Sequence, residues 1–79
     1  MTKFENAKRK LAIICPVSFN LAVDLVNELF NGYSLEVRGN HDRFGFFLGD
    51  KMIAQYRESS GKVALTAAAE YILSASESY

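Results

Sequence analysis

The sequence has few of the residues on which covalent cross-links and many catalytic sites depend. Cys15 is its only cysteine and His41 its only histidine, so neither an internal disulfide nor a multi-histidine metal site can form. A lone cysteine is typical of a reducing compartment. The longest apolar run near the start, Leu11–Cys15, is too short for a signal peptide or a membrane span. These absences predict a soluble, cytoplasmic protein without a membrane partner.

An excess of charge of one sign is also missing. Nine Lys and Arg balance nine Asp and Glu, whereas dedicated nucleic-acid-binding domains are usually basic. The charges are uneven, however. Four basic residues against Glu5 give the first ten residues +3, and five basic against eight acidic residues give the remainder −3. The basic run Lys8, Arg9 and Lys10 is either a solvated helix face or a contact for an acidic partner surface or a phosphate.

Known catalytic motifs are absent from the sequence. It contains neither a serine nucleophile elbow nor a glycine-rich phosphate loop. Cys15 has no assured histidine partner, and His41 lies in a Gly39–Asp42 segment whose composition is typical of a turn. We therefore expect no enzymatic activity, no cofactor and no metal.

What is present is enough apolar material for one small core. Of the 79 residues, 49% are hydrophobic, which argues against disorder and predicts a single domain over residues 1–79. The polar end of the chain, residues 75–79, is predicted to be a frayed tail.

Two helices are predicted near the start. Thr2 and Glu5 have the spacing of a capping box, and Pro16 ends the first helix. The short apolar run leaves a strand over Lys10–Val17 as an alternative. Ser18 is a suitable N-cap for a second helix over Phe19–Phe30.

Three strands and a last helix are predicted to follow. Tyr33–Arg38 alternates between apolar and polar residues, and Gly39–Asp42 is typical of a turn. Arg43–Leu48 and Lys51–Arg57 form a predicted hairpin, and the Ala-rich segment Lys62–Ser74 a final helix. The predicted fold class is therefore α+β, with two N-terminal helices, a three-stranded antiparallel sheet and a C-terminal helix.

The hairpin is apolar on both faces, and its loop length decides how the residues divide. A two-residue Gly49-Asp50 loop puts Phe47, Met52, Ala54 and Tyr56 on one face, opposite Phe44, Phe46, Leu48 and Ile53. A three-residue loop leaves only Phe47 and Ile53 as apolar residues opposite the Phe44 row. In a chain this small, we expect one of the two faces to lack a cover, which indicates an interaction surface.

The segment from Gly49, GDKMIAQYRESSGKVALTAAAEYIL, resembles the end of the double-stranded-RNA-binding domain. That family ends in a strand hairpin, a Ser-Lys-Lys helix start and an Ala-rich helix. Ser60 falls on the family's serine and Lys62 on its second lysine, whereas Gly61 and Leu65 replace the other two lysines. Small and apolar residues fall on the helix face that packs on the sheet: Ala64, Ala68, Ala69, Ile72 and Leu73. The resemblance covers residues 18–73 and implies that family's architecture, with Lys62 as the remaining phosphate contact.

The sequence as a whole predicts a small non-catalytic module that binds another protein or itself. Short, neutral single-domain chains of this kind are often adaptors or inhibitors encoded by phages or mobile elements and acting on a host protein. The predicted partner-binding residues are Phe47, Met52, Tyr56 and Arg43 on the sheet, and Lys8, Arg9 and Lys10 on the first helix. The alternative is nucleic-acid binding through Lys62, the basic first helix and the aromatic residues of the sheet.

Overall fold

The first helix forms as its capping residues predict. In the computed structural model, which describes residues 2–76 without the side chains of residues 40, 75 and 76, helix α1 spans Lys3–Ile14. The Glu5 amide donates to Thr2 Oγ1 over 3.1 Å, and the Thr2 amide donates back to Glu5 Oε1 over 3.4 Å. This reciprocal pair is a capping box, and Cys15 is the C-cap before Pro16. The strand alternative for Lys10–Val17 is therefore wrong.

The second helix, α2, spans Phe19–Leu29 and ends one residue before the predicted Phe30. Ser18 is its N-cap, because its hydroxyl accepts a hydrogen bond from the Leu21 amide over 3.3 Å. The C-cap residue Phe30 is buried, with 1% of its surface exposed, so the end of the helix is fixed by the core.

Four strands form the sheet, one more than the sequence predicts. They are β1 (Glu36–Asn40), β2 (Arg43–Leu48), β3 (Lys51–Arg57) and β4 (Lys62–Leu65), all antiparallel and in the order β1-β2-β3-β4. Helix α3, Ala67–Ser76, follows. The α+β class is confirmed, and the three-stranded sheet is wrong. The predicted tail over residues 75–79 falls mostly outside the described residues.

The fourth strand replaces the first turn of the predicted last helix. In β4, Val63 is buried, whereas Lys62 and Ala64 are exposed, which is the two-residue period of a half-buried strand. The turn before it ends at Gly61, whose φ is 65°. Helix α3 begins only after Thr66, whose hydroxyl accepts from the Ala69 amide over 3.4 Å. An alternation over only four residues is too short to predict a strand where an alanine-rich segment, typical of a helix, follows directly.

Strand β1 also differs from its predicted position. It starts at Glu36 and continues through Gly39 to Asn40, so that His41 and Asp42 alone form the turn. Gly39 has a φ of 140°, and a Cβ atom there would overlap the Arg43 carbonyl oxygen. The glycine that indicated a turn therefore lies in the strand, where only glycine fits.

The β2–β3 hairpin contains a bulge that neither predicted register includes. Its loop has two residues, and Leu48 pairs with Lys51 as predicted for that loop. Phe47 then pairs with Met52 and Phe46 with Ala54, so that β3 carries one extra residue, Ile53. From Ala54 onward the pairing is that of the three-residue alternative. The bulge lets both Ile53 and Ala54 be fully buried.

The core lies between the three helices and one face of the sheet. It contains residues from all three helices and from β2, β3 and β4: Ala7, Leu11, Ala22, Leu25, Val26, Phe30, Phe46, Ile53, Ala54, Tyr56, Val63, Ala69 and Leu73. The helices pack mainly on β3 and β4, whereas β1 packs on β2. The opposite face of the sheet is thus left to the strands alone.

Candidate protein-binding face of the sheet

The face of the sheet turned away from the helices, here called the outer face, is built by three cross-strand rows. Residues that pair directly across antiparallel strands lie on the same face. The outer face consists of Glu36, Arg38, Arg43, Gly45, Phe47, Met52, Gln55, Arg57, Lys62 and Ala64. A shallow concavity of about 270 Å³ on this face is lined by residues of β1, β2 and β3. The outer face is therefore an open platform of strands.

Gly45 forms the floor of this concavity. It is buried because the half-buried side chains of Phe47 and Met52 close over it. A Cβ atom at position 45 would lie 2.7 Å from Phe47 Cε1 and 2.9 Å from Met52 Sδ. The absence of a side chain on Gly45 thus lets an aromatic ring and a thioether lie low on the sheet, between more exposed polar neighbours.

Arg38 borders this apolar centre and fixes its orientation. Its guanidinium carbon lies 4.7 Å from the centroid of the Phe47 ring, within the range of a cation–π contact. The Arg38 Nη2 atom also donates to Glu36 Oε2 over 3.0 Å, and this bond lowers the pKa of the Glu36 carboxyl. Both ion-pair partners remain about half or more exposed. Phe47 therefore carries a cation on its ring that an incoming carboxylate can reach.

Three cations line up at one end of the outer face. Arg43 pairs directly with Arg57, and Arg57 with Lys62, across three neighbouring strands. Like charges directly opposite each other destabilise a sheet. The Asp42 carboxylate partly compensates the row, since Asp42 Oδ2 lies 3.9 Å from Arg57 Nε. The row is therefore a feature that stability alone does not favour.

Asp42 is itself held in place by Ser59. Its carboxylate accepts hydrogen bonds from the Ser59 amide and, over 3.1 Å, from the Ser59 hydroxyl. These two bonds, followed by the charges of Arg57 and Arg43, lower the pKa of the Asp42 carboxyl. Asp42 is thus ionised at neutral pH. Its negative charge reduces the positive charge of the row of Arg43, Arg57 and Lys62 but does not cancel it.

Three of the four predicted sheet residues meet on the outer face. Phe47 and Met52 form its apolar centre, and Arg43 lies beside the same concavity. Tyr56 does not belong there, because the bulge at Ile53 turns it toward the helices, where 1% of its surface is exposed. The prediction that Tyr56 shares a face with Phe47 is wrong.

Tyr56 instead joins the linker between α1 and α2 to the sheet. Its hydroxyl donates to the Val17 carbonyl over 2.6 Å, and its ring lies 5.9 Å from Phe19 and 6.4 Å from Phe44. Burial raises the pKa of this hydroxyl, with a smaller contribution from the nearby charge of Glu58. Tyr56 is a core residue with a polar end, not a contact residue for a partner.

The basic run on α1 lies away from the outer face. Lys8, Arg9 and Lys10 are exposed; Lys8 lies over the Phe4 ring at 5.2 Å, and Lys10 lies 3.7 Å from Glu28. Lys62, predicted for nucleic acid, is at the start of β4 and ends the cationic row. Lys8 and Lys62 line one groove between α1 and β4. Lys8 therefore lies near the Lys62 end of the cationic row. Arg9 and Lys10 do not line that groove.

Sequence reasoning missed the contributions of Arg38, Gly45, Gln55 and Arg57. The alternation in the first predicted strand already put Glu36 and Arg38 on its polar side. What the sequence lacked was the strand order, which brings that side next to Phe47. The burial of Gly45 has no sequence signal of its own.

Within residues 2–76, no group of three or more potential metal-ligating side chains lies close enough together to hold an ion. The helices of that stretch are too short or too polar to cross a bilayer. Comparison of the chain with known protein families, with curated proteins and with solved structures finds no match.

Proposed function

We propose that this protein is a non-catalytic binding module whose outer face docks on another protein. The observation that carries this proposal is the low apolar centre of Phe47 and Met52 over Gly45, bordered by Arg38 and Arg43 and, within residues 2–76, covered by no helix. Aromatic residues, Met and Arg are enriched in the centres of protein interfaces. An adaptor or inhibitor that acts on a second protein requires no more than such a face.

The charges of the outer face define the partner further. Arg38, Arg43, Arg57 and Lys62 outnumber Glu36 on the face and the neighbouring carboxylates of Asp42 and Asp50, the last of which also acts on Arg38. A matching surface presents carboxylates around a protruding apolar side chain that enters the concavity over Gly45. The apolar insertion supplies binding free energy, and the charges supply orientation and a faster encounter.

A second candidate function is nucleic-acid binding, which the cationic row favours. Arg43, Arg57 and Lys62 form a line across three strands, as phosphate contacts along a backbone require. Phe47 offers a ring on the same face, and sheets that bind single-stranded RNA stack bases on such rings. Arg38 already occupies that ring at 4.7 Å, and the chain has no net positive charge, so a protein partner is favoured.

The test compares a change in the outer face with a matched change elsewhere. Phe47→Asp puts a carboxylate in the apolar centre, and Tyr71→Asp makes a similar change on α3, where 75% of Tyr71 is exposed. Proteins from native cells are captured on the immobilised wild type and on both variants. We expect at least one partner to be retained by Y71D and lost with F47D. Equal capture by F47D and the wild type would contradict the proposal.

A salt titration with labelled RNA and DNA separates the two candidates. If the protein-binding proposal is right, nucleic acid binds weakly or not at all at low salt, and F47D leaves that binding unchanged. The second candidate instead requires tight binding that falls steeply with salt, with a slope reduced by about one for Arg57→Gln. Unfolding by urea checks that each variant remains folded.

A further inference from the structure

The two edges of the sheet differ in how far the helices cover them. The edge strand β4 is flanked by α1, and the Val17 amide before α2 donates to the Gly61 carbonyl beside β4 over 2.9 Å. The other edge strand, β1, packs mainly on β2, with no comparable contact to a helix. An open edge presents unpaired amides and carbonyls, which natural proteins normally cover or protect.

The pairing of β1 with β2 shows which backbone groups remain open. Asn40 and Arg43 flank a two-residue turn, so they form a hydrogen-bonded pair. Hydrogen-bonded pairs alternate along an antiparallel ladder, so the next ones are Arg38–Gly45 and Glu36–Phe47. The amide and carbonyl of Val37, and those of Gly39, therefore point away from β2 toward the open edge.

We propose that a second copy of this chain pairs with β1, antiparallel, with Val37 opposite Val37 of the partner subunit. Each Val37 amide then donates to the other Val37 carbonyl about a two-fold axis normal to the sheet. Glu36 comes to lie opposite Arg38 of the partner subunit, and Arg38 opposite Glu36 of the partner subunit. The two four-stranded sheets become one sheet whose helices all lie on the same side.

The charges of β1 select this register from its neighbours. A symmetric antiparallel pairing can be centred on a hydrogen-bonded pair, here Val37, Gly39 or the preceding Leu35, or on a non-hydrogen-bonded pair, here Glu36 or Arg38. A centre at Glu36 or Arg38 puts two like charges directly opposite each other, which destabilises a sheet. A centre at Gly39 or Leu35 does not bring Glu36 opposite Arg38. A centre at Val37 does so twice, and opposite charges that face each other across strands stabilise a sheet.

The apolar surface next to β1 fits the same arrangement. Val37 is 37% exposed, and Tyr33, which precedes the strand, is 45% exposed. On the inner side of the sheet, Val37 of each subunit contacts its symmetry mate in this register. Large exposed apolar side chains at an uncovered edge are a recognised risk for uncontrolled association. A closed two-fold pairing uses that edge in both subunits and leaves no strand of this kind exposed.

The experiment measures the mass of the protein alone by sedimentation equilibrium over a wide concentration range. We expect a concentration-dependent dimer for the wild type. Glu36→Arg and Arg38→Glu each convert two opposite-charge pairs into two like-charge pairs. The dissociation constant of each variant's dimer should therefore be higher than that of the wild type by roughly tenfold or more. The double variant E36R/R38E restores both pairs and should dimerise like the wild type.

A mixture of the two single variants provides the sharpest arm of the test. In a heterodimer of E36R with R38E, both cross-strand pairs are Arg with Glu, so an equimolar mixture should form dimers that neither variant forms alone. A general loss of folding cannot produce this result. If the wild type is monomeric at every concentration, or the mixture stays monomeric, the proposal is wrong.

The backbone contribution is tested separately with Val37→Pro. Proline removes an amide that points outward, so the ladder to β2 keeps its hydrogen bonds and circular dichroism should be unchanged. The variant should be monomeric, and a dimer as strong as that of the wild type would contradict the pairing. Because no binding partner is present in these measurements, their outcome is independent of the proposed function.

Discussion

At the scale of single residues, Asp42 joins two turns of the sheet. Its carbonyl accepts from the Glu58 amide over 2.8 Å, while its carboxylate accepts from Ser59 and lies near Arg57. The β1–β2 turn is thereby fastened to the β3–β4 turn. The same carboxylate balances part of the cationic row, so one residue serves both the fold and the charge of the outer face.

The lowered pKa of Asp42 predicts how stability depends on pH. A carboxyl whose pKa is lower in the folded than in the unfolded state stabilises the fold above the unfolded value of about 4. This contribution is lost as the pH falls through the folded pKa. We expect Asp42→Asn to reduce the free energy of unfolding at pH 6, and the difference from the wild type to shrink toward pH 2.

Urea unfolding at a series of pH values measures this difference. Asp24→Asn, which removes one carboxylate from an exposed position of α2, is the matched control for the loss of a single charge. A gap between D42N and the wild type that stays constant down to pH 2 would show that Asp42 contributes through geometry rather than charge.

At the scale of elements, two glycines with the same backbone conformation have different surroundings. Gly49 and Gly61 both have a φ of 65°, at the β2–β3 and β3–β4 turns. A Cβ atom on Gly49 would meet nothing within 4 Å, whereas one on Gly61 would lie 2.7 Å from Pro16 Cβ and 3.1 Å from the Val17 nitrogen. Gly61 is thus the contact point between the sheet and the α1–α2 linker.

The two glycines predict different costs for the same substitution. Gly49→Ala should lower the free energy of unfolding by about 1 kcal/mol, the cost of a left-handed conformation for alanine. Gly61→Ala should cost at least about 1 kcal/mol more, because the linker backbone has to move. Denaturant unfolding of both variants measures the difference. Equal losses in the free energy of unfolding would show that the linker backbone moves away from the added methyl group without further cost.

The elements that sequence reasoning predicted are those with strong end signals. Helices α1 and α2 have capping residues, and β2 and β3 flank a Gly-Asp loop, so their positions could be predicted closely. Strand β4 is four residues long and runs into an alanine-rich helix, so no local signal separates it. The bulge at Ile53 depends on Ile53 and Ala54 both reaching the core, which is a tertiary requirement.

The residues of the candidate site could also be predicted only in part from the sequence. Arg43 and Phe47 lie two positions before and two positions after Gly45 in a regular strand, so their shared face follows from alternation alone. The position of Tyr56 depends on the bulge and could not be predicted. Arg38, Arg57 and Lys62 join the site only through the order of strands in the sheet.

At the scale of the whole molecule, all three helices lie on one side and pack mainly on β3 and β4. Stability is therefore expected to vary across the sheet, since amides open more readily where less apolar surface covers them. Strand β3 has a neighbour on each side and helices α2 and α3 against it, whereas β1 has one neighbour strand.

Native-state hydrogen exchange should follow this gradient. In dilute protein we expect the bonded amides of β3, such as that of Tyr56, to exchange most slowly, and those of β1, such as that of Arg38, much faster. The Val37 and Gly39 amides, which both point outward, should exchange fastest of the β1 amides. Two-dimensional NMR resolves these amides individually, and equal protection of β1 and β3 would contradict the gradient.

The separation of the two faces of the sheet has a consequence for the evolution of this protein. On β2 and β3, residues that build the core alternate with residues that form the outer face, apart from the bulge. Substitutions at outer positions such as Gln55 or Arg43 change the free energy of unfolding little, since surface replacements usually have small effects. Under the proposed function, partner choice can therefore drift and be selected almost independently of foldability. Gly45 is the position where the two requirements meet, because any side chain there displaces Phe47 and Met52.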